Sequence, residues 1–340
     1  LNASGTNINQ MFREIGNVTG STGGLNLDLS TWTNTGAINT GNGEYLFLTA
    51  RGISTVNLTN WDFTSVTNFG QMFSGCYYLT DIIGLSTLRF DSATSMQKTF
   101  YNCYRLKFDT HNFHNDFGAN WSVTTFSQCL YSNGSQLASG SRGVIPNIAN
   151  WDMSNADNVY QMMRECRFED SNQTFAPSSS WDLSGLAAGD LDLFAYNISG
   201  IKTWDWSNVT IPAAVTSMSQ FLRYVNATPK TLTTVIFGAN CDFSGVTSWA
   251  NAFNSQTLLT TLTFDSSVSF AAVTSMSSML TNVPLGKTSY DNLLIRASAT
   301  NTNTITLASA STYSCAPSSG ATARGALVTA GWTITDGGCT

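Results

Sequence analysis

From Val66 to Val273 the chain restates one phrase eight times: a small hydrophobic residue, Thr-Ser-Met or a variant, an apolar pair, then Cys or Asn. The copies start at Val66, Ala93, Val123, Ala156, Ala187, Val215, Val246 and Val273, 27 to 33 residues apart, and the seventh residue after each start is large and apolar. A fixed period of this length marks stacked coils, each burying its apolar face only against its neighbours. The chain is therefore read as a solenoid, a class that supplies long surfaces for binding and building.

The pattern within one copy predicts the coil. Thr-Ser at the start supplies hydroxyls that cap a helix N-terminus, and apolar residues follow at helical spacing, as in Met276, Met279, Leu280 and Val283. Alternating apolar and Thr positions in 232–237 and 259–264 predict half-buried strands. Coils close on pairs such as Trp61-Asp62, Trp151-Asp152 and Trp181-Asp182. The expected fold is an α/β repeat, a right-handed solenoid resembling leucine-rich repeats, with one strand and one short helix per coil. Its expected divisions are 1–59, an N-terminal cap or assembly arm opening on a short helix over Asn7–Ile15; 60–284, the solenoid; and 285–340, a C-terminal cap. Within that cap the sequence predicts helices over 290–296 and 321–330 and strands over 304–308 and 332–335.

Composition narrows the function classes. Charged residues are only 11% of the chain, while Ser and Thr number 86 and Asn 31. A surface of hydroxyls and amides solvates without charge, which suggests an extracellular or virion-borne protein. The net charge of −6, with 15 Lys and Arg spread along the sequence, argues against nucleic acid. No apolar run reaches the ~18 residues of a membrane span. Nine Asn-x-Ser/Thr sequons are about what chance gives at this composition, so glycosylation stays open.

The stretches Trp61-Asp-Phe-Thr-Ser-Val-Thr, Met72-Phe73, Cys76 and Leu79, and Phe90-Asp-Ser-Ala-Thr-Ser-Met, Phe100, Cys103 and Leu106, resemble the BspA-like surface-protein repeat, a divergent branch of the leucine-rich repeats. The segment from Tyr290-Asp-Asn-Leu-Leu through Gly331-Trp-Thr-Ile-Thr-Asp-Gly-Gly338 is similar to the one that follows such repeats in bacterial surface proteins and some phage-encoded ones. The resemblance implies a surface-exposed, non-enzymatic, often adhesive protein. It also implies a ladder position, occupied by Cys76, Cys103, Asn133, Cys166 and Asn197, whose side chains sit inside a turn and satisfy backbone groups.

Candidate chemistry is sparse. The odd count of seven Cys leaves at least one unpaired. Cys76 and Cys103 on adjacent rungs are within bridging reach, and Cys315 with Cys339 is the favoured pair. Asp109, His111, His114 and Asp116 form a weak metal candidate, read more simply as a solvated loop. With two His in the chain, a Ser-His-Asp or Cys-His centre lacks its parts. Asp62, Asp91, Asp152, Asp182, Asp205 and Asp265 recur near coil ends and read as turn residues. Stacked, they leave a Ca2+ ion open, and no other cofactor is expected. Most Trp fall in coil register and read as core, whereas Tyr77, Tyr78 and Tyr104 fall off register and suggest a contact face. These features predict a non-catalytic extracellular structural or adhesive protein, self-assembling into a homopolymer as a surface-filament subunit or forming an adhesin shaft. The alternatives are a phage tail-fibre or receptor-binding protein and a carbohydrate-binding module with a glycan or host-surface ligand.

Overall fold

A computed structural model describes residues 9–16, 23–32, 42–84, 90, 92–107, 122–136, 147–168, 173–179, 181–187, 189, 191–226 and 230–340. The chain forms two compact units, Leu1–Glu169 and Asp170–Thr340. Each is a parallel β-solenoid.

In the N-terminal unit, strands β1 (Leu25–Asp28), β2 (Ile53–Asn57) and β3 (Asp81–Ile83) form a parallel sheet in chain order. Val56 pairs with Ile82 and both point inward. A second ladder of single bridges links Asn42, Asn68, Ser95, Thr125 and Asn158. The third wall is the segment predicted as a helix, and it is not one. Here Phe69, Gln71, Phe73 and Gly75 donate their N–H groups to Ser95, Gln97, Thr99 and Tyr101 of the next coil, while Met72, Ser74 and Cys76 donate to Phe69, Gln71 and Phe73 three residues back. Every N–H has a partner, as a buried backbone requires, yet none follows the i→i−4 pattern of an α-helix. The chain is a run of overlapping β-turns, and those starting at Phe69 and Phe73 have positive φ at the third residue, 56° at Gln71 and 74° at Gly75, the signature of type II. The same two positions are left-handed at Lys98 and Asn102, Gln128 and Ser132, and Gln161 and Glu165.

Turns of this kind return the chain to one face every three or four residues. They therefore bury Phe69, Met72, Phe73 and Cys76 just as a helix would. Left-handed backbone costs about 1–2 kcal/mol at a non-glycine residue, and the inter-coil ladder offsets it. The coil geometry continues N-terminal to residue 60. Tyr45 and Thr49 have positive φ, as do Gln10 and Glu14 in the segment predicted as a short helix. Phe12 donates its N–H to Leu46, and Phe47 to Met72. One column of rings results: Phe12, Phe47, Phe73 and Phe100 stack at 5.1, 5.1 and 5.7 Å between centroids, with nearly parallel planes. At Gly16 and Gly52 two backbones pass so closely that a Cβ on either would lie 2.6 Å from the other's Cα.

In the C-terminal unit, β4 (Gln173–Phe175), β5 (Ile201–Trp206), β6 (Thr234–Phe237) and β7 (Thr261–Phe264) form a parallel sheet in chain order. The turn run recurs, with positive φ at Gln220, Asn251 and Ser255, and at Ser278 and Asn282. Trp181, Trp204, Trp206, Phe221, Phe237, Trp249 and Phe264 fill the core with tilted and edge-to-face contacts, and Phe237 stacks on Phe264.

The sheet is closed by helix α1 (Lys287–Thr300), whose side chains stand in for a further coil. Ser289 Oγ and Asn292 Oδ1 accept the edge N–H groups of Leu262 and Phe264, Thr300 Oγ1 accepts that of Phe270, and Asn301 Nδ2 donates to the Phe270 and Val273 carbonyls. An open strand edge templates unwanted pairing, and here the helix occupies it. Strand β8 (Thr306–Ala308), helix α2 (Ser319–Thr329) and strand β9 (Thr333–Thr335) complete the unit. Asp336, almost fully buried, accepts from Arg324 Nε at 2.7 Å and from the Tyr290 hydroxyl at 3.2 Å. The sequence-predicted helices and strands of this segment fall within these four elements or within three residues of their ends.

A candidate contact edge on the N-terminal unit

The residues of the repeated phrase are consumed by the coil itself. Thr94 Oγ1 donates to the Thr67 carbonyl of the preceding coil, Thr247 to Thr216, and Thr274 to Thr247, all at 3.0–3.2 Å. The next residue closes a local turn rather than capping a helix: Asn68 Oδ1 accepts the Gly70 N–H, and Ser248 Oγ that of Ala250. At the ladder position, Cys76 Sγ donates to the Phe47 carbonyl, Cys103 to Phe73, and Cys166 to Leu130, at 2.8–3.1 Å. Asn133 Nδ2 donates to Phe100 and Leu130, and Gln256 Nε2 to Leu222. Asn197 does not share this place. Its φ of 57° and the N–H bond of Leu193 to Ser219 put it one step earlier, because the degenerate copy slips by one residue. Its Oδ1 accepts the Val225 N–H instead.

Cys76, Cys103, Cys129, Cys166 and Cys241 are free and buried. Burial holds the Cys76, Cys166 and Cys241 thiols up to about 12 and raises those of Cys103 and Cys129 as well. A protonated thiol sealed from solvent is a poor nucleophile. Cys76 and Cys103 are not bridged, whereas Cys315 and Cys339 form a disulfide with Cα atoms 4.8 Å apart.

The recurrent Asp residues each close an Asx turn. Asp62, Asp152, Asp182, Asp205, Asp242 and Asp265 accept the N–H two residues on, from Thr64, Ser154, Ser184, Ser207, Ser244 and Ser267. Among the described residues no three His, Cys, Asp or Glu side chains converge to hold a metal ion. Asp109, His111, His114, Asp116 and Asp91 lie outside the described residues. Also among them, no helix is long and apolar enough to cross a membrane.

The tyrosines on the outside of the turn run are organised differently. Tyr77 and Tyr104, on adjacent coils, stack at 4.8 Å. Arg51, at the equivalent place one coil earlier, lies over Tyr77 at 4.4 Å and donates to its hydroxyl. Arg105 covers Tyr78 at 4.8 Å. A parallel column places Lys98 over Tyr101, Tyr101 against Tyr131 at 4.7 Å, and Arg164 over Tyr131 at 5.2 Å. The Gln128 amide donates to Gln161 beside them. These tyrosines and cations are half-exposed, while Gln161 is buried. Burial, with nearby Glu165, pushes the Tyr131 hydroxyl up to about 12, and burial raises that of Tyr104, so both stay protonated donors near neutrality. Sequence reasoning singled out Tyr77, Tyr78 and Tyr104 but missed Tyr101, Tyr131 and the cations. Arg51, Lys98, Arg105 and Arg164 are scattered in sequence, and only the coil period brings them to one edge.

Residues 6–134 match the model of a family described as "Mycoplasma protein of unknown function, DUF285". No curated protein and no solved structure matches the chain.

Proposed function

We propose that this chain is a non-catalytic, extracellular adhesive repeat protein of the BspA-like kind, working as an adhesin shaft or filament subunit whose coil edge is its contact surface. One observation carries the reading. The recurring Thr, Ser or Asn, and Cys or Asn side chains are spent on coil-to-coil and turn bonds, while the positions that vary from coil to coil face outward on the turn run. A scaffold that fixes its frame and varies one edge is suited to recognition. The surface-protein motif supports the same reading, and the family match over 6–134 is consistent with the BspA-like kind without bearing on adhesion. The edge N–H groups of β7 bonded to α1 support a shaft closed at that sheet rather than one extended there by strand addition.

Immunogold electron microscopy of the native source tests it. Label along extracellular rods or fibres is the expected result. Label confined to the cell interior overturns the proposal, and catalytic turnover by the purified chain would remove "non-catalytic".

A further inference from the structure

We propose that the turn edge of the N-terminal unit, built from Arg51, Tyr77, Tyr104, Arg105, Tyr131 and Arg164, binds an acidic polysaccharide through guanidinium and phenol groups rather than through ring faces. The inference rests on the adhesive reading above and names its ligand class.

The edge gathers positive charge in a chain of net charge −6. Arg51, Lys98, Arg105 and Arg164 lie along it, and its acidic member, Glu165, pairs with Arg164 at 3.4 Å. Among the described residues, no hydrogen bond or ion pair engages the Lys98 or Arg105 side chains. Arg51, Arg105 and Arg164 each lie over a tyrosine, within 5.2 Å of the ring centroid. A guanidinium restrained over a ring has fewer orientations left to lose when it takes a carboxylate or sulfate through two parallel bonds. Fixing it in advance lowers the entropy lost on binding.

The rings decide between ligand classes. Neutral sugars and nucleobases are held by stacking on open aromatic faces. Here Tyr77 is covered by Arg51 on one side and Tyr104 on the other, and Tyr131 by Tyr101 and Arg164. What remains at these two rings is a row to which each coil gives a phenol hydroxyl or a cation at the ~4.8 Å strand spacing, with the cations on alternate coils. A polymer with acidic groups recurring along it and hydroxyls between them is the partner that such a row complements. The same edge of the C-terminal unit carries Asn251, Asn254, Ser255, Thr281 and Asn282, and its Arg223, at the register of Arg164, donates to Gln220.

Affinity electrophoresis of the full chain through polygalacturonate, heparin, neutral dextran and single-stranded DNA tests the proposal. Retardation by polygalacturonate or heparin but not dextran is expected. It should weaken as salt rises, since the screening length is ~8 Å at physiological strength. Arg105→Ala should lower the affinity about tenfold, the size of one charged hydrogen bond, with an unchanged melting curve. Arg105→Lys, which keeps the charge but not the fork, should fall between. Asn254→Ala on the other unit should leave binding intact. Indifference to both acidic polymers at low salt, binding untouched by Arg105→Ala, or tighter binding to DNA would overturn it. Surface labelling without glycan binding would sink this inference alone, whereas glycan binding by an intracellular protein would sink the adhesive reading.

Discussion

The two units share one coil but finish it differently. The N-terminal unit buries Cys76, Cys103, Cys129 and Cys166 in its core, and its edge is crowded with tyrosines and cations. The C-terminal unit fills its core with Trp181, Trp204, Trp206 and Trp249, carries an amide and hydroxyl edge, and ends in a cap held by a disulfide and by the half-buried Arg324 paired with Asp336. Identical backbone ladders therefore leave two quantities free to vary, the chemistry of the core and that of the outer edge. The first sets how each unit fails; the second sets what it touches.

Alkaline pH should separate the units most. A thiol held at about 12 when folded and ordinary at 9 when exposed keeps its proton only in the native state. Below pH 9 its stabilising effect is fully present; between pH 9 and 12 the unfolded chain binds fewer protons, so stability falls as pH rises, by up to about 1.4 kcal/mol per pH unit for each thiol. The N-terminal unit has Cys76 and Cys166 in this state, and burial raises Cys103 and Cys129 as well. The C-terminal unit has Cys241, together with Tyr290, whose hydroxyl burial raises further. Hydrogen exchange across a pH series from 8 to 11 should show amides of 66–103 losing protection before those of 215–264. Simultaneous loss would mean that the two units open as one.

Trp206→Ala should reverse the order. Its ring is fully buried between Trp204, Phe221 and Phe237, and truncating such a residue costs about 3–5 kcal/mol. At neutral pH, calorimetry should show the transition of the C-terminal unit shifted down while protection over 66–103 persists.

Removing the Cys315–Cys339 disulfide is expected to cost somewhat less. It closes a loop of 24 residues, which constrains the unfolded chain by about 3 kcal/mol. Cys315→Ser with Cys339→Ser should lower the melting temperature of the C-terminal unit. The N-terminal unit, with free thiols only, should be unchanged by the variant or by reductant.

Much of this was legible in the residues. The period, the inward apolar column and strands β6 and β7 follow from alternation and spacing, and the terminal cap from helical and strand patterns in 287–335. The helix in each coil was misread because Phe69, Met72, Phe73 and Cys76 have helical spacing whether the chain is a helix or a run of turns. The signal that separates them lies between the apolar residues. Gln71 and Gly75, Lys98 and Asn102, and Asn251 and Ser255 occupy the left-handed positions, and the recurring Gly, Asn and Ser among them are turn formers. The slip at Asn197 was hidden because the Ala187 copy lacks Thr-Ser-Met. The cationic edge was invisible for a different reason: Arg51, Lys98, Arg105 and Arg164 belong to no local motif, and stacking creates their proximity.

The smallest expected effect bears on what the units have in common. Thr94 and Thr247 make the same bond, hydroxyl to the preceding coil's carbonyl, at 3.1 and 3.0 Å. Valine keeps the shape and deletes the donor, so Thr94→Val and Thr247→Val should each cost about 0.5–1.5 kcal/mol. The Ala156 copy tolerates the loss already: Asp157 stands where Thr94 does, and its backbone N–H alone reaches Thr124. Guanidinium unfolding of each variant should therefore move the midpoint slightly and leave the slope unchanged. Equal shifts would fit one ladder serving both units. A clearly larger shift for Thr247→Val would mean that the tryptophan core transmits a local defect further than the phenylalanine column does.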